Sequence, residues 1–196
     1  MEDLIPLLSA VITTLGTVFA AMWGRHYWRA RKIDPVVDDT AQSSNIYMAL
    51  DYIMEQMEAD RAYVLQFHNG GYYYSGRSQQ KFSCTHESTS RGVSRECSTS
   101  QEHRISHYHN YIDSLIRNGK FCYQDIENMD DHNFIELLQE AGVKSIYNVP
   151  IKTLNGRIIG ILGVDYVKAQ MKCDVENETS LQFMKRQARI VSGYLL

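Results

Sequence analysis

The chain lacks the pairings that mark the commonest small-site chemistries. Its four cysteines, Cys84, Cys97, Cys122 and Cys173, include no C-x-x-C pair, so neither a zinc ribbon nor a dithiol redox motif is signalled. A surplus of positive charge is missing too: 20 Lys and Arg stand against 23 Asp and Glu, a formal net charge of −3. Phosphate backbones need a basic face, so no nucleic acid is expected as a partner. No nucleophile arrangement stands out. Cys84 and His86 would share a strand face at i, i+2, but no third group orients them, and the chain reads as non-catalytic. Cys84, His86, Cys97, His103, His107 and His109 are suitable donors for zinc, yet their spacing matches no standard module. No metal is expected.

Charge is also absent from Leu4 to Trp23, a run of twenty residues. As a helix it would rise about 30 Å, the thickness of a bilayer's hydrocarbon core. Glu2 and Asp3 precede the run, while Arg25, Arg29, Arg31 and Lys32 follow it. That asymmetry predicts an exported N-terminus and a cytoplasmic remainder on the inner membrane. The acidic start argues against a cleavable signal peptide. Trp23 and Trp28 fall at the expected membrane interface beside the four basic residues. Gly16, Ala20 and Gly24 form a small-residue ridge that leans towards self-association. Residues 1–32 are thus expected to be a transmembrane anchor, and a reducing cytosol would leave the thiols unpaired.

Setting aside the four basic and two acidic residues of the first 33 leaves 16 basic against 21 acidic residues, in a length suited to one compact domain. Residues 33–43 read as a linker. From Ser44 a helix begins, with Ile46, Leu50, Ile53 and Met57 on one stripe. Residues 61–68 are β-rich and run into the turn signal Asn69-Gly70-Gly71, with further strands expected at 72–74 and 81–85. Residues 86–104 read as a long loop turning helical near Glu102, followed by a helix to Asn118, a strand from Phe121 and a helix over 131–141. Two apolar runs, 143–153 and 157–167, flank Asn155-Gly156, a strong hairpin signal. A last helix from about residue 176 carries Leu181, Met184, Ala188, Val191 and Leu195 on a seam suited to helix packing. The order predicts an α+β fold with a mainly antiparallel sheet flanked by helices.

The hairpin segment Ser145-Ile146-Tyr147-Asn148-Val149-Pro150-Ile151, with Asn155-Gly156-Arg157-Ile158-Ile159-Gly160-Ile161-Leu162-Gly163-Val164, resembles that of the GAF/PAS-like sensor fold. The helix exit at residues 140–144 and the strand at 61–67 also resemble that family. The resemblance covers about residues 44–196. It implies a ligand on the concave face of the sheet, covered here by residues 70–120, and end helices that dimerise. The N-K-x-F-x-x-x-D-E set of the cyclic-nucleotide branch is absent. Residues 67–71 with 81–87 are also similar to small membrane-anchored GAF-like proteins of phages and bacteria.

Within that frame His68 and His86 are candidates for the pocket mouth, where they would hold an anion or respond to pH. Asn69, Tyr72, Tyr74, Phe82, Cys84, Tyr147 and Asp165 complete the expected ligand-binding set. Asp165 falls in an apolar strand and needs a partner, for which Arg61 and Lys144 are the candidates. The expected function is a single-pass, homodimeric, non-catalytic sensor with a small ligand whose identity the sequence does not give. The alternative is a holin-like lysis protein that permeabilises the bilayer through its span.

Overall fold

In this computed structural model residues 4–30, 34–172 and 177–196 are described, on the first helix with side chains from 11 to 26. Contacts divide the chain into two compact units, Met1–Ala41 and Gln42–Leu196. Helix α1 (Leu4–Ala30) exposes its apolar side chains, among them Leu15, Phe19 and Trp23. Thr17 donates its hydroxyl back to the Thr13 carbonyl at 2.7 Å.

Among the described residues no helix is long and apolar enough to cross a membrane, so the span expected over Leu4–Trp23 finds no support there. Three threonines, Thr13, Thr14 and Thr17, dilute the apolar side chains described on α1. Gly16 and Gly24 look onto open space, Ala20 is exposed beside them, and Trp23 and Arg25 are exposed. The expected interface residues Arg31 and Lys32, and the side chains of Trp28 and Arg29, lie outside the described residues, as does Cys173.

Within the stretch expected as a linker, 33–43, the chain enters helix α2 (Pro35–Met57) at Pro35. Proline suits a first helical position, where no N–H is needed, and Asp34 caps the start by accepting from the Val36 N–H at 2.9 Å. The expected stripe is intact: Ile46, Leu50, Ile53 and Met57 are the buried residues of α2.

A six-stranded antiparallel sheet follows, made of β1 (Arg61–Tyr72), β2 (Ser78–Thr89), β3 (His103–Arg104), β4 (Phe121–Tyr123), β5 (Ser145–Lys152) and β6 (Ile158–Tyr166). Their spatial order is β3-β2-β1-β6-β5-β4. The helices between them are α3 (His109–Asn118) and α4 (His132–Glu140), and α5 (Glu178–Tyr194) closes the chain. The turn expected at Asn69-Gly70-Gly71 lies inside β1, where the pairing with β2 shifts register between Asn69 and Tyr72. Gly71, at φ +111°, absorbs that irregularity as only glycine does cheaply. The actual reversal comes later, with the Tyr73 N–H donating to the Arg77 carbonyl at 2.9 Å.

Alternation along each strand sends side chains to opposite faces. Ala62, Val64, Tyr147, Val149, Leu162 and Val164 join Leu50, Ile53, Met184 and Val191 of α2 and α5 in one core. Leu65, Phe82, Ile146 and Ile161 point the other way, towards Tyr111, Leu115, Phe134 and Leu138 of α3 and α4. The sheet is therefore covered on both faces, as the near-continuous apolar run of β6 predicts.

Candidate functional site

The second face of the sheet is not filled by apolar packing alone. At Tyr63, Asn148 and Asp165 the inward positions of β1, β5 and β6 are polar, and a cavity of about 430 Å³ lies above them. Its other walls come from residues 96–103, from Tyr111 on α3 and from the C-terminal half of α4. That volume falls in the range of small-molecule sites.

The floor is one connected polar network. The Tyr63 hydroxyl lies 3.0 Å from Asn148 Oδ1 and 3.0 Å from Asp165 Oδ1, sharing its proton between them. Asn148 Nδ2 donates to the Tyr111 hydroxyl at 2.7 Å. Arg61, only 1% exposed, faces Asp165 Oδ2 with Nε at 3.3 Å. Its Nη2 donates to the Ala141 carbonyl at 3.0 Å, and its Nη1 to the Ser94 carbonyl at 3.4 Å. One guanidinium thus ties the sheet to the end of α4 and to the loop after β2. Such a buried pair is retained only because each charge has partners.

Burial decides the protonation states. It pushes the Asp165 carboxyl up to about 6, against the opposing pull of Arg61 and the Tyr63 hydroxyl. Burial pushes the Tyr63 and Tyr111 phenols up as well and holds the His103 imidazole low. Near neutrality the floor therefore carries neutral phenols, a neutral imidazole and an Arg–Asp ion pair.

Glu87 organises the wall. Although 3% exposed, it points its carboxylate at the Glu96 N–H, 2.9 Å from Oε1, and at the Cys97 N–H, 3.2 Å from Oε2. Gln101 Nε2 adds a bond to the Cys84 carbonyl at 2.7 Å. Cys84 and Cys97 are free thiols whose side chains interact, and burial pushes both thiols up, away from the reactive thiolate. Cys122 is a free thiol too.

Of the residues expected to bind ligand, Phe82, Cys84 and Asp165 line this cavity together. The other six stand elsewhere. His68 bonds Ser83 Oγ through Nε2 at 2.9 Å, and Asn69 accepts from the Gly71 N–H at 3.0 Å and holds its own turn. Tyr72 and Tyr74 are exposed at the tip of the β1–β2 hairpin. His86 sits 3.2 Å from Ser43 Oγ and edge-on to Tyr47 of α2. Tyr147 is packed in the core on the α2 and α5 side. Lys144, the rival partner for Asp165, donates instead to the Lys168 carbonyl at 2.8 Å.

Sequence reasoning did not pick out Tyr63, Tyr111, Asn148, Glu87 or Glu96. One signal was available: Asn148 is a lone amide in an apolar strand, and a buried amide needs partners. Among the described residues no group of three or more His, Cys, Asp or Glu side chains is placed to hold a metal ion.

Solved structures share this architecture at low identity. The blue-light-absorbing form of the PixJ GAF domain from Thermosynechococcus elongatus superposes with a TM-score of 0.64 at 14% identity, covering 83% of this chain and 89% of that one. The photoproduct state of GAF3 from Slr1393 of Synechocystis sp. PCC6803 gives 0.59 at 12% identity, covering 79% and 92%. The far-red-absorbing dark state of JSC1_58120g3, with bound biliverdin IXa, gives 0.57 at 15%, covering 81% and 97%. At these identities the likeness is one of fold. No curated protein matches the chain, and nothing in these likenesses supports the phage or lysis-protein reading. The family model described as GAF domain, however, matches residues 45–194, which is most of the sequence and all of the sheet built above, and the chain therefore belongs to the GAF domain family.

Proposed function

We propose that this protein is a non-catalytic sensor whose small-molecule ligand occupies the cavity between the sheet and residues 96–103, α3 and α4. The single observation that carries this reading is the cavity itself. About 430 Å³ of space above a network with fixed donors and acceptors is a pre-formed site.

Output would pass through the opposite face. Arg61, Tyr63 and Asp165 belong to β1 and β6, and the alternate residues of those strands, Ala62 and Val164, pack in the core with α2 and α5. A ligand that binds two arrangements of the floor with different affinity biases the packing of those helices. Exposed Tyr47, Met48 and Tyr52 on α2 and Ile190 on α5 support the expected pairing of end helices in a homodimer. The membrane attachment expected from the N-terminal sequence is part of the proposal. What supports it is the uncharged run Leu4–Trp23 and the exposed apolar side chains of α1.

Three measurements test the reading. Small molecules released by denaturing purified full-length protein are identified by mass spectrometry and added back, with a rise in Tm as the expected result. Analytical ultracentrifugation with and without the ligand reads the dimer. Fractionation of expressing cells reads the attachment, and recovery in the high-speed supernatant would remove it from the proposal.

A further inference from the structure

The wall charges of the cavity do not suit an anion. Four carboxylates line it, from Glu87, Glu96, Glu140 and Asp165, against one guanidinium, that of Arg61. Arg61 turns most of its guanidinium to the protein, and its Nε–H makes no hydrogen bond among the described residues. Nη2 is committed to Ala141 and Nη1 to Ser94, while Nε faces Asp165 at 3.3 Å and Nη1 lies 3.6 Å from Glu96 Oε1. The two remaining arginines of this loop, Arg91 and Arg95, are exposed and line no part of the cavity.

The carboxylates are not equally occupied. Glu87 is used by two backbone amides. Glu96 accepts from the hydroxyls of Ser94 at 2.7 Å and Thr99 at 3.1 Å, which leaves lone pairs on both oxygens. The Glu140 side chain makes no hydrogen bond or ion pair among the described residues and is exposed in the cavity lining. The same lining carries the aromatic rings of Phe82, His103, Tyr111 and Phe134. The rings of Tyr111 and Phe134 stack at 4.1 Å and 16°, and Phe82 lies 5.2 Å from His103. Carboxylate acceptors and aromatic rings in one lining recognise a cation on a flat apolar body, by ion pairing and by ring contact. The space equals roughly fourteen water molecules, enough for a bicyclic ring with a short arm.

We infer that this cavity selects a planar aromatic molecule bearing an ammonium, amidinium or guanidinium group, with the ring against Tyr111 and Phe134 and the charge towards Glu96 and Glu140. The inference rests on the cavity being the sensor's ligand site. It also separates this chain from its fold neighbour with bound biliverdin. Biliverdin carries two propionate groups, and this lining sets four carboxylates against them with one guanidinium, already facing Asp165.

The test uses full-length protein and four probes: tryptamine, tryptophol and indole-3-acetate, which share one ring system and differ in charge, and biliverdin. Thermal shift and calorimetry should show tryptamine binding about tenfold or more tightly than indole-3-acetate, the scale of one partly desolvated ion pair. Added salt should narrow the gap. Glu140→Gln, at an exposed position that leaves the fold intact, and Glu96→Gln should each shrink the preference, a change that loss of packing would not produce. Equal binding of all three indoles, preference for indole-3-acetate, or a coloured biliverdin adduct would each overturn the charge assignment while leaving the sensor reading in place. Failure of every probe, with no small molecule released from the purified protein, would overturn both.

Discussion

Tyr63 on β1 and Asn148 on β5 hydrogen-bond at 3.0 Å across a strand that lies between them. The intervening residue is Gly163 of β6, paired with Tyr63 on one side and Asn148 on the other. A Cβ at Gly163 would fall on the Tyr63 ring and on Asn148 Oδ1. The glycine is there to leave a gap, and the tyrosine fills it to build the floor of the cavity.

Gly163→Ala should therefore destabilise the protein by about 1–3 kcal/mol, the usual cost of overpacking, and should abolish ligand binding. Gly193→Ala is the control: it lies on α5 with nothing within 4 Å of an added Cβ. Helix propensity there favours alanine by up to about 1 kcal/mol. Urea unfolding of both variants checks the pair, and equal effects would remove the steric role given to Gly163.

Arg61→Ala should cost about 3–5 kcal/mol, because it strands the Asp165 carboxylate in the interior. Adding Asp165→Asn should recover a large part of that loss, since the amide is neutral and still accepts from Tyr63. A double-mutant cycle reads the coupling, and additive losses would mean that the pair is not the unit described.

The pH dependence of stability follows from the same carboxyl. Burial raises the folded pKa of Asp165 to about 6, above the roughly 3.9 of an unfolded aspartate. The folded state then binds the proton more tightly, so this group's contribution is full below about pH 4 and is lost as pH rises through about 6. Asp60 runs the other way. Burial raises it, but the Lys168 and Val167 N–H groups at 2.8 and 2.9 Å win and hold it low. Subtracting the profile of Asp165→Asn from that of the parent isolates the term. The difference should fall by about 3 kcal/mol or less between about pH 4 and 6.5, and a flat difference would refute the raised pKa.

Glu87→Gln keeps the size of the side chain but removes the charge that holds the Glu96 and Cys97 amides. Charge-assisted bonds of this kind are worth about 1.5–3 kcal/mol. Hydrogen exchange at residues 94–98 should accelerate about tenfold or more, with the sheet amides of β5 and β6 unchanged. Uniform acceleration would mean that Glu87 supports the whole domain and not this wall.

The parts of the fold that were legible in the sequence are those governed by local period. The α2 stripe, the β5–β6 hairpin and the stop of α3 at Gly119, left-handed at φ 66°, are each written within a few neighbouring residues. Pro35 misled because proline reads as a breaker, while at a first helical turn it starts the element. Asn69-Gly70-Gly71 misled for a related reason: a turn signal inside a long strand made an irregularity, and the reversal came at Tyr73–Arg77. The cavity was less legible still. That Asp165 needs a partner followed from the cost of a buried charge, with Arg61 and Lys144 both open, but Tyr63, Tyr111 and Asn148 meet over sequence separations of 37 and 85 residues. No periodicity encodes a contact between strands that are not neighbours in the chain.

The carboxylate of Glu87 has one more consequence. A wall held by a few side chains, Glu87 with Arg61 and Gln101, opens by a local event that leaves the sheet intact, and local openings require less free energy than global unfolding. The residence time of any occupant is then set by how often that fastening releases, as well as by the fit of the cavity. Affinity and persistence become separately adjustable, the first through the floor at Tyr63 and Asn148 and the second through Glu87 on β2.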